Sequence, residues 1–252
     1  WPVITVHFSN HTGYGAWKGP ILPAEDVAAV IEGIEERGVL PTCNAVLSGY
    51  MGDVSLGRVI LDAAARVKAA NGHALYCCDP VMGDVGRGFF VRPGIPEFMR
   101  DHAVPAADII TPNQFELEFL TGIEVDTLEH ALRAAEAARK LGPEIVLVTS
   151  LQRSDSPADA IELLAVSGDG AWLVRTPLLP ISVNGAGDMT AALFLAHYMK
   201  TGNVAQALGR ATASVFAVME ATANAGAREI QLIAAQDQIA HPPPRFAVEA
   251  VR

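Results

Sequence analysis

The chain has 252 residues, of which 50% are hydrophobic and 18% are charged, a composition typical of a globular protein with a sizeable core. Its 18 basic and 28 acidic side chains give a formal net charge of −10, which disfavours nucleic acid and anionic membrane surfaces as partners. No apolar run reaches the roughly 18 residues of a membrane span, and the first residues lack the order of a signal peptide. We therefore expect a soluble cytoplasmic protein that binds neither nucleic acid nor membranes.

Short apolar or β-branched runs predict buried strands, and amphipathic segments between them predict helices. The apolar residues of segment 27–34 recur at helical spacing and form a stripe that we expect to pack on a sheet. Segments 53–70 and 127–141 follow the same pattern. The strands are predicted at residues 3–8, 45–48, 75–78, 108–111 and 145–149. This alternation predicts an α/β fold with a mainly parallel sheet.

One antiparallel pair is expected to interrupt the parallel pattern. Runs 161–166 and 171–174 flank the sequence Ser-Gly-Asp-Gly, which is typical of a hairpin turn. Three helices then complete the chain. Because no repeat or linker is present, we predict one domain over residues 1–252, with ligands bound beyond the carboxyl ends of the strands.

Gly185, Ala186, Gly187 and Asp188 directly precede an apolar helical run. A glycine-containing turn at a helix start can present backbone N–H groups to an anion. No lysine or arginine occurs in segment 181–199, so backbone dipoles and a metal ion would have to neutralise that anion. Asp188 either stabilises the first helical turn, by about 0.3–1 kcal/mol, or acts on the ligand. The motifs of P-loop, dinucleotide-binding, zinc protease and serine hydrolase sites are absent.

Two carboxylates follow the predicted strand at residues 75–78. Asp79 closes that strand and Asp84 lies in the glycine-rich segment after it. Carboxylates at this position can hold Mg²⁺ together with substrate phosphates. The alternatives are a turn-forming Asp-Pro for Asp79 and a solvated loop residue for Asp84. The glycines of segment 83–92 predict a mobile lid.

Polar residues also follow the next two predicted strands. Thr111 and Asn113 come at the carboxyl end of one strand, and Glu116 lies in the first turn of the following helix. These side chains either cap that helix or contact a polar ligand group. Thr149 and Ser150 end the next strand in the same way.

Three separated segments, DPVMGD, DIITPNQFE and NGAGD, resemble motifs of the ribokinase-like superfamily in the same order. The segment FSNHTGYGAWKG is similar to the substrate-proximal segment of the pyridoxal kinases, and the resemblance covers nearly the whole chain. It implies a three-layer α/β/α sandwich and ATP-dependent phosphorylation of the 5′-hydroxymethyl group of pyridoxal, pyridoxine or pyridoxamine. Members are commonly homodimers, use Mg²⁺ and often use K⁺.

The resemblance also implies roles for individual residues. Asp188 matches the catalytic base that acts on the substrate hydroxyl, and segment 185–187 matches the anion hole. Thr12 matches a residue beside the pyridine ring, with Tyr50 as its neighbour. The positions that match contacts to nucleotide, magnesium or its water shell are Asp79, Thr111, Asn113, Glu116, Thr149 and Ser150. Asp84 and Phe90 fall in the loop that covers ATP in relatives, and Asp79, Asp84 and Glu116 are the predicted metal residues.

One departure and two rival functions accompany this interpretation. Relatives begin with a strand and loop that carry a substrate-contacting serine, whereas this chain begins at Trp1, so we expect either a fragment or a pocket that lacks one wall. Hydroxymethylpyrimidine kinase shares the glycine and aspartate motif, but FSNHTGY favours vitamin B6. A non-catalytic B6-binding protein is the second rival, and the presence of Asp188 and Asp79 argues against it.

Overall fold

The computed structural model describes all 252 residues, which divide into two compact units. The first unit comprises residues 1–110 and 141–143, and the second comprises residues 111–140 and 144–252. That residues 1–252 form a single kinase domain stays a prediction. None of the helices combines the length and the apolar character that crossing a membrane requires.

The first unit contains three parallel strands with helices between them, as the alternating sequence pattern predicted. Leu75 pairs with Ala45, and Cys77 pairs with Ile109 in the same parallel sense. Short 3₁₀ turns at Thr12–Tyr14 and Leu40–Thr42 and a π-helical turn at Met99–Ala103 complete the unit. Its elements are α1 (Ala24–Glu35), β1 (Ala45–Ser48), α2 (Val54–Ala70), β2 (Leu75–Cys78), β3 (Gly83–Asp84), β4 (Gly88–Phe89), α3 (Ile95–Phe98), α4 (Val104–Ala106) and β5 (Ile109–Ile110).

Helices α1 and α2 occupy the segments that the apolar spacing predicted. Asp53 caps α2, because its carboxylate accepts a hydrogen bond from the Ser55 N–H at 2.9 Å. In α1, Val27 is buried as predicted, whereas Val30 is 52% exposed. The predicted stripe on α1 is therefore buried only in part.

The strand predicted at residues 3–8 is wrong. Only Val6 forms a β-bridge, to Ile21, and the bonds of this bridge include that from the His7 N–H to the Pro20 carbonyl at 2.9 Å. Pro20 and Pro23 lack the N–H donors that a continuous ladder needs. Residues 3–8 therefore form an irregular extended segment instead of a strand.

A close helix contact in the first unit gives a stability prediction. A Cβ added at Gly57, in the first turn of α2, would lie 2.3 Å from the Phe98 ring, which is itself buried. We expect Gly57→Ala to lower the free energy of unfolding by about 1–3 kcal/mol through overpacking. The control is Gly33→Ala, at an exposed position of α1 where nothing lies within 4 Å of an added Cβ. This variant should raise the free energy of unfolding by about 0.5–1 kcal/mol. Chemical denaturation measures both, and equal changes would contradict the overpacking argument.

The second unit combines helices with strands that pair in an antiparallel manner. The predicted hairpin is confirmed, with pairs running from Ala160 and Pro177 to Ser167 and Gly170. The last strand was not predicted, because it is only three residues long and follows a proline-rich stretch. The elements are α5 (Gln114–Thr121), α6 (Leu128–Arg139), β6 (Ile145–Leu151), β7 (Ala160–Ser167), β8 (Gly170–Pro177), α7 (Ala186–Thr201), α8 (Val204–Ala225), α9 (Gln236–Ala240) and β9 (Val248–Ala250).

Antiparallel pairing extends further than the single hairpin that the sequence predicted. Strand β7 pairs with both β6 and β8, and β8 also pairs with β9. Helix α8 packs against β7 and β8 and against α7. Met189 of α7 and Val218 of α8 are buried in one apolar cluster with Ala235. This packing fixes the start of α7 against the strands.

Candidate active site

The glycine-containing turn predicted to bind an anion lies at the start of α7. Gly185 precedes the helix with φ 97° and ψ −9°, a left-handed backbone that favours glycine. Helix α7 begins at Ala186, and the first N–H groups of a helix have no partners within it. These donors and the positive end of the helix dipole attract anions. The local backbone therefore has the form that the sequence predicted.

Asp188 lies in the first turn of α7, and it is exposed. An acidic side chain here interacts favourably with the helix dipole. The same position places the carboxylate within one turn of the N–H groups that begin the helix. Both alternatives that the sequence left open, a helix-stabilising role and a role in chemistry, are compatible with this location.

The second unit contains a cavity of about 170 Å³ whose wall includes four of the predicted site residues. They are Thr149 and Ser150 near the end of β6, and Ala186 and Gly187 at the start of α7. The rest of the wall is largely apolar and comes from β7, β8, α8 and the segment before α7. The fold therefore brings together two motifs that are far apart in the sequence.

Thr149 and Ser150 reach this cavity because β6 contains a bulge. The register with β7 shifts between Val148 and Leu151, which leaves Thr149 and Ser150 opposite the single residue Leu163. Ser150 has φ 53° and is the only residue other than glycine with a positive φ. Left-handed conformations of this kind cluster at ligand sites.

Helix α8 supplies a cavity wall that sequence reasoning missed. Thr212, Val215, Phe216 and Met219 all line the cavity from this helix. Thr212 is 2% exposed, and its hydroxyl has no hydrogen-bond partner in the protein. Because buried hydroxyls are normally hydrogen-bonded, this one is available to a ligand group. The only signal in the sequence is a polar residue within a largely apolar helix.

Asn113 and Glu116 form a capping box at the start of α5. The Asn113 side chain accepts from the Glu116 N–H, and the Glu116 carboxylate accepts from the Asn113 N–H, both at 2.9 Å. The Thr149 N–H donates to the Pro112 carbonyl at 2.9 Å, so this corner lies beside the bulge. Thr111 and Glu116 are each 3% exposed. The capping alternative is confirmed for Asn113 and Glu116, and ligand contact by them stays a prediction.

In the first unit, Asp79 and Asp84 lie where the sequence placed them. Asp79 follows β2 directly, is 6% exposed, and its N–H donates to the Ser48 carbonyl at 2.9 Å. Asp84 lies in β3, and its carboxylate accepts from the Val85 N–H at 2.8 Å. No group of three or more His, Cys, Asp or Glu side chains is arranged to hold a metal ion. Mg²⁺ does not require such a group, because proteins usually bind it through one or two carboxylates together with phosphate oxygens and water.

The first unit has its own cavity, of about 610 Å³, lined by Tyr50 and Phe90. Phe8 and Trp17 add aromatic surface to its wall. The predicted lid segment 83–92 forms the small β3–β4 hairpin and contributes Phe90 to this wall. The structure thus places Phe90, a predicted nucleotide contact, in the same cavity as Tyr50, a predicted substrate contact.

Thr12 does not line that cavity. It begins the exposed 3₁₀ turn Thr12–Tyr14, which His11 caps by accepting a hydrogen bond from the Gly13 N–H at 3.2 Å. The His11 ring also contacts the Tyr14 ring in a tilted arrangement, with 4.7 Å between ring centroids. His11 therefore has a structural role in this turn, and contact of Thr12 with a substrate stays a prediction.

Comparison with known proteins places the chain in a family of small-molecule kinases. The family model described as phosphomethylpyrimidine kinase matches residues 24–232. A protein of Rubrobacter xylanophilus named pyridoxal kinase PdxY is 64% identical over 252 residues, covering 100% of this chain and 87% of the relative. A pyridoxal kinase PdxY of Leifsonia xyli is 55% identical over 250 residues, covering 99% and 88%.

The same conclusion comes from solved structures. Pyridoxal kinase from Leishmania donovani in complex with ADP and pyridoxamine has a TM-score of 0.90 and 27% identity, covering 98% of this chain and 88% of that one. This agreement confirms the predicted ribokinase-like α/β fold. Since the family model and the relatives both cover most of the sequence, the chain belongs to the pyridoxal kinases of the phosphomethylpyrimidine kinase family.

Proposed function

We propose that this chain phosphorylates the 5′-hydroxymethyl group of pyridoxal, pyridoxine or pyridoxamine, with ATP as the phosphoryl donor. Similarity to named pyridoxal kinases over the whole chain supports the reaction class. The main structural support for assigning this reaction to particular residues is the cavity at the start of α7, which the bulge of β6 and the glycine turn both line. This cavity is the proposed nucleotide site.

In the proposed reaction, Asp188 orients the substrate hydroxyl and takes its proton. The hydroxyl oxygen bonds to the γ-phosphorus of ATP, the bond from that phosphorus to the bridging oxygen breaks, and ADP leaves. The N–H groups at the start of α7 hydrogen-bond the transferring group and stabilise its negative charge. Because segment 181–199 contains no lysine or arginine, these backbone dipoles replace basic side chains there. Positioning and charge stabilisation dominate phosphoryl transfer.

Asp79, Asp84 and Glu116 are the residues that we propose to hold Mg²⁺, directly or through water. When bound with the nucleotide, Mg²⁺ neutralises charge on the phosphate oxygens. The other proposed contacts of the nucleotide are Thr111, Asn113, Thr149, Ser150 and Phe90. Use of K⁺ and homodimer assembly are proposals that rest on the pyridoxal kinase resemblance, and a cytoplasmic location is a separate proposal.

Thr12 and Tyr50 are the proposed contacts of the pyridine ring. Tyr50 shares its cavity with Phe8 and Trp17, whose rings lie 6.0 Å apart between centroids. Aromatic side chains of this kind pack well against a flat ring. This chemistry supports an aromatic substrate in the cavity of the first unit.

Hydroxymethylpyrimidine kinase is the second candidate function, because it shares the glycine and aspartate motif and the matching family model is described as the related phosphomethylpyrimidine kinase. A turnover assay with pyridoxal and hydroxymethylpyrimidine in parallel, each with ATP, Mg²⁺ and K⁺, separates the two. We expect pyridoxal to be the better substrate by kcat/KM. A strong preference for hydroxymethylpyrimidine would overturn the substrate assignment, and pyridoxal binding without any phosphate ester would favour a binding protein. Intact mass of the same sample identifies the chain that was assayed.

Thr212 gives a prediction for the nucleotide cavity. Its hydroxyl is buried without a protein partner, so Thr212→Val should not lower the melting temperature. If the hydroxyl contacts the nucleotide, the KM for ATP should rise by about 3- to 10-fold. The measurements are steady-state kinetics with ATP varied and thermal unfolding.

Thr222→Val in the same helix is the matched control. The Thr222 hydroxyl donates to the Val218 carbonyl at 2.7 Å and accepts from the Gln231 N–H at 3.0 Å, and it does not line the cavity. This variant should lose stability and keep its KM for ATP. An unchanged KM in Thr212→Val would remove Thr212 from the nucleotide site.

A further inference from the structure

A buried carboxylate lies between two arginines next to the bulge of β6. Glu162 is 0% exposed, and Arg153 donates to its two oxygens at 2.7 and 3.0 Å. Arg175 donates to the same carboxylate from Nε at 2.9 Å. Burial raises the pKa of Glu162, but the hydrogen bonds from both arginines outweigh this and hold that pKa below its ordinary value. In these three side chains, named here the Glu162 cluster, Glu162 and Arg153 are buried as an ion pair and Arg175 is half-exposed.

The Glu162 cluster lies behind the wall of the nucleotide cavity. Ile161 and Leu163 of β7 line the cavity, and successive residues of a strand point to opposite faces. Glu162 therefore points away from the cavity. It pairs with Leu151 of β6 on one side and with Arg175 of β8 on the other, so the cluster joins all three strands.

The cavity side of these strands contains a backbone conformation that needs support. Ser150 has φ 53°, which costs free energy for a residue other than glycine. Such a conformation persists only where its surroundings determine it strongly. Regular pairing resumes at Leu151, directly opposite Glu162. The cluster thus lies at the point where the register is restored after the bulge.

The segment that follows the bulge is also held in place. The Gln152 N–H donates to the Gln114 side chain at 3.0 Å, and the Ser154 N–H donates to the Asp126 carbonyl at 3.0 Å. Arg153 lies between these two anchored residues. Its guanidinium therefore approaches Glu162 from a fixed backbone.

We propose that the Glu162 cluster is a positioning device for the nucleotide site, which holds Thr149 and Ser150 in the bulged conformation that contacts ATP. This inference rests on the proposed function, because it takes ATP to occupy the cavity at the start of α7. None of the three side chains of the cluster lines that cavity. They act through the backbone of the bulge and are positioning residues, not catalytic ones.

A purely structural role for the cluster makes a different prediction. Breaking a buried ion pair destabilises a protein wherever the pair lies, and it does not by itself change one KM more than another. A positioning role changes the KM for ATP selectively. The ratio of the two substrate KM values is therefore the readout that separates the roles.

The test compares Glu162→Gln with the matched control Glu136→Gln. Glu136 in α6 also accepts hydrogen bonds from two arginines, Arg139 and Arg252, and it lines neither cavity. We expect Glu162→Gln to raise the KM for ATP and the ATP dissociation constant by about 5- to 30-fold. The KM of Glu162→Gln for pyridoxal should stay within about twofold of that of the starting protein. The KM values of Glu136→Gln for ATP and for pyridoxal should also stay within about twofold.

A second pair of variants keeps the proposal falsifiable if Glu162→Gln does not fold. Arg175→Met removes only the half-exposed partner of Glu162 and should raise the KM for ATP in the same direction. Ser150→Gly relieves the left-handed constraint, so adding Arg175→Met to it should change the KM for ATP less than Arg175→Met changes that of the starting protein. An equal change in both backgrounds, or parallel changes in both substrate KM values, would overturn the proposal.

Calorimetric titration with ATP separates this proposal from the function on which it rests. If the starting protein binds ATP but phosphorylates no vitamin B6, the proposed function fails while the dissociation constants of the variants still test the cluster. If the starting protein phosphorylates pyridoxal and Glu162→Gln binds ATP normally, the proposed role of the Glu162 cluster is overturned while the proposed function stands.

Discussion

Asp188→Asn is expected to lower kcat by at least about 10²-fold while the dissociation constant for ATP stays close to its starting value. Asparagine keeps the size of the side chain and can still hydrogen-bond the substrate hydroxyl, but it cannot accept the proton. Asp188 is exposed in the first turn of α7, so the substitution leaves the packing of the unit intact. Steady-state kinetics with pyridoxal and calorimetric titration with ATP measure the two quantities.

The control for Asp188→Asn is Asp237→Asn, which also changes an exposed aspartate in the first turn of a helix. If Asp188 only stabilises its helix, both variants should lose at most about 0.3–1 kcal/mol of stability and keep their turnover. A base role predicts a large loss of turnover in Asp188→Asn alone. Near-normal turnover of Asp188→Asn would exclude Asp188 as the base.

Much of the fold could be predicted because its signals are local. Strand β2 coincides with a short apolar run, and α2 begins directly after the cap Asp53. The exceptions depend on partners that are distant in sequence. Residues 3–8 have the composition of a strand, but Pro20 interrupts the segment that they pair with. Strand β9 is only three residues long and depends on its antiparallel pairing with β8.

The candidate site also combines features with a local sequence signal and features that depend on residues distant in sequence. The turn at Gly185 and the cap formed by Asn113 and Glu116 depend on nearby residues, so the sequence located them correctly. The bulge at Ser150 arises from a register shift between β6 and β7, and the residue type at that position does not predict it. Thr212 joins the site through packing of α8 on the strands. Tertiary contacts therefore determine the part of the site that the sequence did not reveal.

The backbone at the start of α7 gives the second large prediction, for Gly185→Ala. Gly185 has φ 97°, and an added Cβ would lie 3.0 Å from the Ile230 side chain. Alanine therefore strains this turn and shifts the N–H groups that follow it. Since a displacement of about 1 Å can cost roughly 10²-fold in rate, we expect kcat to fall by about 10²-fold. Steady-state kinetics with saturating ATP measures the change.

Gly202→Ala at the other end of α7 is the matched control. Gly202 also has a left-handed backbone, with φ 62°, and nothing lies within 4 Å of the position of an added Cβ. Both variants should lose about 1–2 kcal/mol of stability, because alanine disfavours this conformation. Only Gly185→Ala should lose turnover, since only Gly185 adjoins the N–H groups proposed to hold the transferring phosphoryl group. Equal kcat values for the two variants at a temperature where both are folded would show that those N–H groups do not act in the reaction.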